Sequence, residues 1–283
     1  MDIISLKNRE IKRLKPYILN EGIFNNESYL YYYNNQELLK LFKSHINKEN
    51  KLFILNKLFY LKDYLDVKEF VLPSSLAKCG RSFGYTMEYV ENNTNIAVLL
   101  NRDDISLEDK IYFLTRISNL IKKIETNEVL NENGFHLGDI HEGNFIYDNI
   151  NNMVRAVDLD SSYVSGMDAP DSKFLTRNDK LWFFKEKYPL DKNDRHIPNK
   201  NTTILSMLYM VMNFVSEDYS PDISTREFIY NINIMAHVGF NKKLLDSMFD
   251  LYLYKDNSLD FDLIKTINPK MVLKFREIKN AKK

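Results

Sequence analysis

Apolar residues near the start of the chain follow two different spacings. Between residues 15 and 43, the runs KPYILNEGIF, YLYYY and ELLKLFK are separated by Asn-rich polar segments. Short aromatic and aliphatic runs that alternate with turn residues are typical of antiparallel strands. The next segment, KENKLFILNKLFYLKDYL, repeats apolar residues every three or four positions, at Leu52, Leu55, Leu58 and Phe59. This spacing predicts a helix with one buried face.

Two further strands are predicted after Pro73. They cover residues 75–78 and 82–90, and polar residues end the pattern in MEYVENN. A small antiparallel sheet with one helix is therefore predicted for residues 1–91, and we place a domain boundary at its end.

The pattern in residues 92–283 predicts mainly helices. SLEDKIYFLTRISNLIKKI has an apolar stripe at helical spacing, and Ser106 followed by Asp109 forms a capping sequence. NFIYDNINNMVRAVDLD instead contains two apolar runs joined by an Asn-rich turn, which predicts a β-hairpin. Residues 161–200 keep no sustained period and predict a long loop region, whereas the apolar run at 204–215 predicts a buried helix. The chain as a whole is predicted to be α+β.

Composition narrows the classes of function. The chain has 283 residues and is 44% hydrophobic, as expected for a globular protein. Lys plus Arg and Asp plus Glu each total 39, so net charge does not favour nucleic acid or an anionic membrane as a partner. Cys79 is the only cysteine, which excludes an internal disulfide and a cysteine-built zinc site. The opening segment does not resemble a signal peptide and no apolar run could span a bilayer, so we predict a cytoplasmic protein.

One stretch, HLGDIHEGNFIYD at 136–148, concentrates residues with catalytic potential. Asp139 precedes the predicted hairpin, Asn144 follows at its start, and Asp158 ends its second strand. A tight hairpin brings its last residues next to its first, so Asp158 is predicted to face Asn144. Oxygen atoms are the ligands that Mg²⁺ prefers in proteins. The pattern therefore predicts a cation site close to Asp139.

Several motifs follow one another in an order typical of a known superfamily. GDIHEGN matches a D-x-x-x-x-N catalytic loop, AVDLD matches a strand ending in the metal-binding aspartate of D-F-G, and LLKLFK matches a strand with a phosphate-binding lysine. MEYV resembles the segment that joins two lobes, and NTTILSMLYMVM resembles the central helix of the larger lobe. In these motifs the chain resembles the protein-kinase-like superfamily, which includes eukaryotic-type protein kinases and the aminoglycoside and choline phosphotransferases.

The resemblance implies a two-lobed, protein-kinase-like α+β fold that binds ATP and Mg²⁺. The N-lobe, residues 1–91, would contain the small antiparallel sheet, and the mainly helical C-lobe, residues 92–283, would carry the catalytic loop at 136–145 and the metal-binding strand end at 158–160. The resemblance assigns these roles: Asp139 orients the acceptor hydroxyl, Lys40 paired with Glu49 contacts the phosphates, Met87 lines the adenine pocket, the backbone of Glu88 and Val90 bonds the adenine edge, and Asn144 and Asp158 bind Mg²⁺.

Some positions depart from the pattern of the superfamily. His141 stands where protein kinases have lysine, as in small-molecule phosphotransferases, and it either contacts phosphate or holds the loop through hydrogen bonds. Gly22 is the only glycine where a glycine-rich loop is expected, Asp160 of DLD could add a carboxylate near the metal, and Thr203 replaces an anchoring aspartate. Lys43 competes for the phosphate-binding role.

These features favour a Ser/Thr protein kinase of the bacterial eukaryotic-like kind, because the long segment at 161–200 could dock a peptide. Its partner would be a protein substrate or a small hydroxyl-bearing acceptor. His141 favours the alternative of a small-molecule kinase, and the missing glycines favour an inactive kinase-like binding module. A further alternative is a metal-dependent hydrolase in which His136, Asp139 and His141 bind a transition metal. Candidate phosphorylation sites in the long segment are Ser161, Ser162, Tyr163, Ser165 and Thr176.

Overall fold

The computed structural model describes residues 2–18, 27–80, 82–172, 175, 186–217, 224–252 and 260–281. Within these residues the chain is α+β, as predicted, with a five-stranded sheet, a three-stranded sheet and a set of helices. Gly22 and Thr176 lie outside the described residues. The larger sheet contains β1 (Asp2–Leu6), β2 (Ser28–Tyr32), β3 (Glu37–Phe42), β4 (Pro73–Cys79) and β5 (Ser82–Glu88).

The smaller sheet is antiparallel and contains, in spatial order, β6 (Asn93–Asn95), β7 (Phe145–Asp148) and β8 (Met153–Ala156). Within the described residues, no helix combines the length and the apolar character needed to cross a membrane. Helices α1 to α9 comprise Asn8–Ile11, Lys48–Leu61, Ile96–Asn101, Leu107–Glu125, Glu128–Glu132, Lys200–Ser216, Thr225–His237, Lys242–Tyr252 and Pro269–Asn280.

The larger sheet is mixed, so the prediction of an antiparallel sheet is wrong at one edge. Its strand order is β1-β4-β5-β3-β2. β1 pairs with β4 in parallel, with Ile3 opposite Leu76, while the other neighbours are antiparallel. A parallel pair needs a long crossover connection. The chain provides one because β2, β3 and α2 all lie between β1 and β4 in sequence.

Helix α2 confirms the predicted helix and packs its apolar face against the larger sheet. Leu58 is fully buried and belongs to the same core cluster as Phe42 of β3 and Tyr85 of β5. Burial of one such side chain contributes about 1.5–3 kcal/mol. Asn47 caps the start of the helix, because its side chain accepts a hydrogen bond from the N–H of Asn50 at 3.1 Å.

The predicted hairpin is also confirmed, as β7 and β8. The side chain of Asp148 closes the turn by accepting a hydrogen bond from the N–H of Asn151 at 3.0 Å. β8 is bonded on its other side to the chain that leads into β4. The N–H of Ala156 donates to the carbonyl of Glu69 at 2.8 Å, and the N–H of Val71 donates back to Ala156 at 2.9 Å. Backbone hydrogen bonds therefore connect the hairpin to the segment before β4.

The starts of helices α4 and α6 were predicted with different accuracy. Helix α4 begins as predicted, with the N–H of Asp109 donating to the hydroxyl of Ser106 at 3.0 Å. Helix α6 begins at Lys200, four positions before the predicted start, because Asn199 and Thr202 form a reciprocal capping box. Most residues of α6 are buried, which agrees with a central core helix.

Gly84 lies where β3 and β5 approach each other closely. It is opposite Leu41, and a Cβ atom at this position would lie 1.8 Å from the backbone oxygen of Lys40. We expect Gly84→Ala to push the strands apart and to lower the free energy of unfolding by about 1–3 kcal/mol. Urea denaturation measures this change. Ser82→Ala, at an exposed position of the same strand, is the control, and equal stability of the two variants would contradict the close approach.

Candidate functional site

A cavity of about 620 Å³ lies between the larger sheet, the start of α2 and the loops at the ends of the β7–β8 hairpin. This volume is within the range of ordinary small-molecule sites. The cavity brings together residues from three distant parts of the sequence. The predicted site residues that line it are Lys40, Met87, Glu88, Val90, Asp139, Asn144 and Asp158.

Strand β3 determines which of the two candidate lysines reaches the cavity. Side chains alternate along a strand, so Leu39 and Leu41 pack together in a separate apolar cluster while Lys40 faces the cavity. The side chain of Lys40 is 3% exposed. Lys43 follows the end of the strand, and its ammonium group lies 5.2 Å from the centre of the Tyr29 ring. The geometry therefore favours Lys40 over Lys43.

The ammonium group of Lys40 lies between two carboxylates. It contacts Oδ1 of Asp158 and donates to Oδ1 of Asp160 at 2.6 Å. The phenol of Tyr85, opposite Lys40 in the β3–β5 register, donates to the same Asp160 oxygen at 2.5 Å. The side chain of Asp160 is fully buried, whereas that of Asp158 is 35% exposed. Asp158 is thus the carboxylate of the pair that remains open to the cavity.

Helix α2 adds a second lysine to this group. Lys51 donates to Oδ2 of Asp160 at 2.9 Å, to the backbone oxygen of Asp160 at 3.1 Å, and pairs with Oε2 of Glu27 at 2.7 Å. Lys51 and Asp160 are both buried. We call Lys40, Lys51, Asp158 and Asp160 the charge cluster.

Attraction within the charge cluster outweighs the effect of burial on most of its members. Burial raises the pKa of Asp160, but the two lysines hold that pKa well below its usual range. Burial lowers the pKa of Lys40 and of Lys51, yet the carboxylates raise both above their ordinary values. The pKa of Asp158 is raised by burial and by the charge of Asp160, against the attraction of Lys40.

The predicted pairing of Lys40 with Glu49 is wrong. Glu49 is exposed in the first turn of α2, and Lys51 is the ionic residue of that helix that reaches the charge cluster. The sequence contained a signal for this. Lys51, Leu55 and Leu58 share the spacing of one helix face, so a charged residue occupies the buried stripe. A lysine at such a position needs a buried partner.

The loop after Phe135 holds Asp139 from two sides. The N–H of Gly143 donates to Nδ1 of His141 at 3.0 Å, so Nε2 carries the proton of the neutral ring, and it lies 3.2 Å from Oδ2 of Asp139. Asn144 donates through Nδ2 to the backbone oxygen of Asp139 at 2.8 Å. His141 therefore contacts both the loop backbone and the carboxylate of Asp139, which fits one of its two predicted roles, that of holding the loop through hydrogen bonds.

The strand end at Asp158 has an unusual backbone. Val157 donates its N–H to the carbonyl of Asn144 at 3.0 Å, so the ladder places Val157 opposite Asn144 and Asp158 one residue beyond. Asp158 then adopts a left-handed conformation, with φ of 60° and ψ of 37°. Such backbone costs about 1–3 kcal/mol for a residue other than glycine and is common at functional sites. It turns the chain so that Asp158 and Asp160 both meet Lys40.

The transition-metal site proposed for a hydrolase is not formed. Nδ1 of His136 lies 3.1 Å from Oε1 of Glu125, whereas His141 and Asp139 line the cavity. Among the described residues, no group of three or more His, Cys, Asp or Glu side chains is arranged to hold a metal ion. Within the described residues, the ligand set that the hydrolase alternative requires is therefore not formed.

The far end of the cavity is lined by the end of β5 and the residues that follow it. The carboxylate of Glu88 pairs with the buried guanidinium of Arg155, with a 2.8 Å hydrogen bond from Nη1. The carbonyl of Val90 accepts a hydrogen bond from Nδ2 of Asn93 at 2.6 Å. Side chains thus hold this segment, and its residues line the cavity next to the partly buried side chain of Met87.

The arrangement combines buried cations, a partly exposed carboxylate and an oriented second carboxylate in one cavity, which suits the binding of a polyphosphate and a divalent cation. Comparison of the sequence with protein-family models and with curated proteins finds no match to either.

The two neighbouring aspartates should contribute very differently to stability. Asp160→Asn leaves two buried lysines without the charge between them, and we expect it to lower the free energy of unfolding by about 3–5 kcal/mol. Asp158→Asn removes a partly exposed charge, and we expect a cost below about 1 kcal/mol. Urea denaturation of both variants measures the difference. Similar losses in the two variants would show that Asp160 is not the buried centre of the cluster.

Proposed function

We propose that the protein is an ATP- and Mg²⁺-dependent phosphotransferase that acts on a hydroxyl group, with a two-lobed, kinase-like arrangement of residues 1–91 and 92–283. One observation carries the proposal. Lys40 of β3 lines a single cavity together with Asp139, Asn144 and Asp158, which flank the β7–β8 hairpin far along the chain. Phosphoryl transfer depends mainly on positioning and on electrostatic stabilisation, and these residues supply both.

The residues fit a nucleotide with its metal ion. Lys40 supplies a cation for the phosphates, and Asp158 supplies a partly exposed carboxylate for Mg²⁺. Asn144 uses its Nδ2 to bond Asp139, which leaves its amide oxygen as the atom for a cation. Mg²⁺ commonly uses only one or two protein ligands beside phosphate and water. When bound, it neutralises charge on the phosphate oxygens.

Asp139 is the residue proposed to act on the acceptor. The acceptor oxygen forms the new bond to the terminal phosphorus, the bond from that phosphorus to the ADP oxygen breaks, and Asp139 accepts the hydroxyl proton. His141 holds the carboxylate through its Nε2 proton. At the other end of the cavity, the backbone N–H of Val90 is the proposed donor to the adenine edge, with Glu88 and Met87 beside it.

A protein Ser or Thr side chain is the favoured acceptor. The described parts of the long segment, 161–172 and 186–199, form neither a helix of α type nor a regular strand, which suits the docking of an extended peptide. A small-molecule acceptor is the second candidate, because His141 occupies the position held by lysine in protein kinases. Asp171 is exposed and lines the cavity, so it could meet a cationic acceptor.

Intact-mass spectrometry tests the first candidate. We expect the phosphatase-treated wild type to gain phosphate during incubation with Mg²⁺ and ATP. Asp139→Ala should lower the rate by about 10²–10⁴-fold, the usual contribution of an acid–base residue, and Asp158→Ala should abolish the gain. Ser165 is exposed, whereas Ser162 and Tyr163 are buried, so Ser165 is the expected site among these.

The control is Asp246→Ala, which changes an exposed aspartate of α8 and should leave phosphate gain unchanged. If the wild type gains no phosphate, ADP release with small cationic alcohols tests the second candidate. Absence of ADP release with any acceptor, together with intact nucleotide binding, would contradict catalysis and identify a nucleotide-binding module.

Nucleotide binding has a separate readout. Ligand that binds only the folded protein stabilises it by about 2.7 kcal/mol when present at 100 times its Kd. We expect Mg²⁺ with ATP to raise the Tm of the wild type, and Lys40→Met to lose most of that rise because the phosphates lose their cation. Lys43→Met is the matched control on the same stretch of chain and should keep the full rise. An unchanged Tm in the wild type would contradict the proposed cofactor.

A further inference from the structure

Asp160 accepts three hydrogen bonds from side chains of the protein itself. Its Oδ1 accepts from Lys40 at 2.6 Å and from Tyr85 at 2.5 Å, and its Oδ2 accepts from Lys51 at 2.9 Å. Its side chain has no exposed surface. A cation that bound Asp160 would have to displace buried donors and would lie beside two ammonium groups. Asp160 is therefore poorly suited to be a metal ligand, although it is two residues from one.

The position of Lys40 makes this distinction important for catalysis. In the structure Lys40 contacts both Asp158 and Asp160. A divalent cation at Asp158 would remove one of these two partners by competing for the same carboxylate. Asp160 would then be the remaining carboxylate that holds the ammonium group of Lys40 close to the phosphates.

On the basis of the proposed function, we propose that Asp160 and Lys51 are positioning residues for Lys40. Asp160 fixes the ammonium group of Lys40 while Asp158 binds the cation, and Lys51 fixes Asp160. Neither residue touches the metal ion or the acceptor.

Lys51 makes the position of α2 part of this arrangement. It bonds both the carboxylate and the backbone oxygen of Asp160. Asn50, the residue before Lys51, connects α2 to the chain after β8 a second time. It donates to the carbonyl of Asp168 at 3.2 Å and accepts from the N–H of Asp168 at 3.0 Å. The resemblance implied an acidic residue on the helix. In this structure the helix supplies a basic residue, Lys51, and the chain after β8 supplies the acidic residue, Asp160.

The Mg²⁺ dependence of the rate distinguishes a positioning residue from a metal ligand. The measurement is the steady-state rate of ADP release at varied concentrations of Mg²⁺ and ATP, with the acceptor identified by the phosphorylation and ADP-release experiments. It is made at a temperature where circular dichroism shows that every variant is folded. We expect Asp160→Asn to lower kcat by about 10–100-fold, the usual effect of removing a supporting partner, and to raise the KM for ATP. The Mg²⁺ concentration for half-maximal rate should match that of the wild type.

Asp158→Asn is the comparison that calibrates a metal ligand. We expect it to raise the Mg²⁺ concentration for half-maximal rate strongly. A comparable rise in Asp160→Asn would identify Asp160 as a metal ligand and would overturn the inference.

Lys51 provides an independent test that does not depend on the stability of Asp160→Asn. Lys51→Met should lower kcat without changing the Mg²⁺ dependence, and Lys51→Arg, which keeps the charge and the donors, should restore most of the rate. The double variant Lys51→Met with Asp160→Asn should lose no more rate than Asp160→Asn alone, because both changes remove one connected interaction. Additive losses, or a Lys51→Met rate equal to that of the wild type, would overturn the role of Lys51.

Lys62→Met is the matched control, since Lys62 is exposed just beyond the end of α2. Its kinetic constants should equal those of the wild type. A wild type that neither binds Mg²⁺ with ATP nor releases ADP would refute the proposed function and this inference together. A wild type that does both, with Asp160→Asn unchanged in kcat and KM, would refute the inference alone.

Discussion

The buried ionic contact between Lys40 and Asp160 is the constraint on which the rest of the cavity depends. Neither side chain has appreciable contact with solvent, and an unpaired charge in such surroundings would cost several kcal/mol. Strand β3 can keep Lys40 inside only if the chain after β8 brings Asp160 to it. Asp160 is held in turn by Lys51 of α2, which donates hydrogen bonds to both the carboxylate and the backbone oxygen of Asp160. Buried ion pairs add little net stability, so this one is better explained by the position that it gives to Lys40.

Local sequence patterns were sufficient for elements whose stabilising contacts lie close in sequence. The β7–β8 hairpin and helix α4 follow from turn residues, capping residues and apolar spacing within one short segment. β1 was not predicted, because its partner, β4, lies far along the chain and pairs with it only after β2, β3 and α2 have been placed. The five residues of β1 contain no pattern that would identify so distant a strand as their partner.

Prediction of the site followed the same rule. The proximity of Asp139, Asn144 and Asp158 was predictable because one loop and one hairpin bring them together. Lys40 was assigned from the resemblance, and it is the structure that places Lys40, and not Lys43, along the cavity. The pairing of Glu49 with Lys40 was wrong because the negative charge and the sequence position of the partner were taken from the resemblance. Which side chain of α2 is buried depends instead on the face of the helix that it occupies. Lys51 lies on the apolar face of α2 and could have been found from that pattern alone.

Close backbone packing explains how these separate segments reach one point. The chain has eight glycines, and Gly84 and Gly138 lie at contacts between segments that carry the site. Gly84 allows β5 to approach the backbone of Lys40, and at Gly138 a Cβ atom would lie 2.4 Å from the backbone oxygen of Ser161. The loop with Asp139 is therefore packed directly on the chain that follows Asp160. A displacement of that chain would move Asp139 and Asp160 together. The proposed positions of the acceptor hydroxyl, at Asp139, and of the phosphates, at Lys40, therefore depend on the same backbone contact.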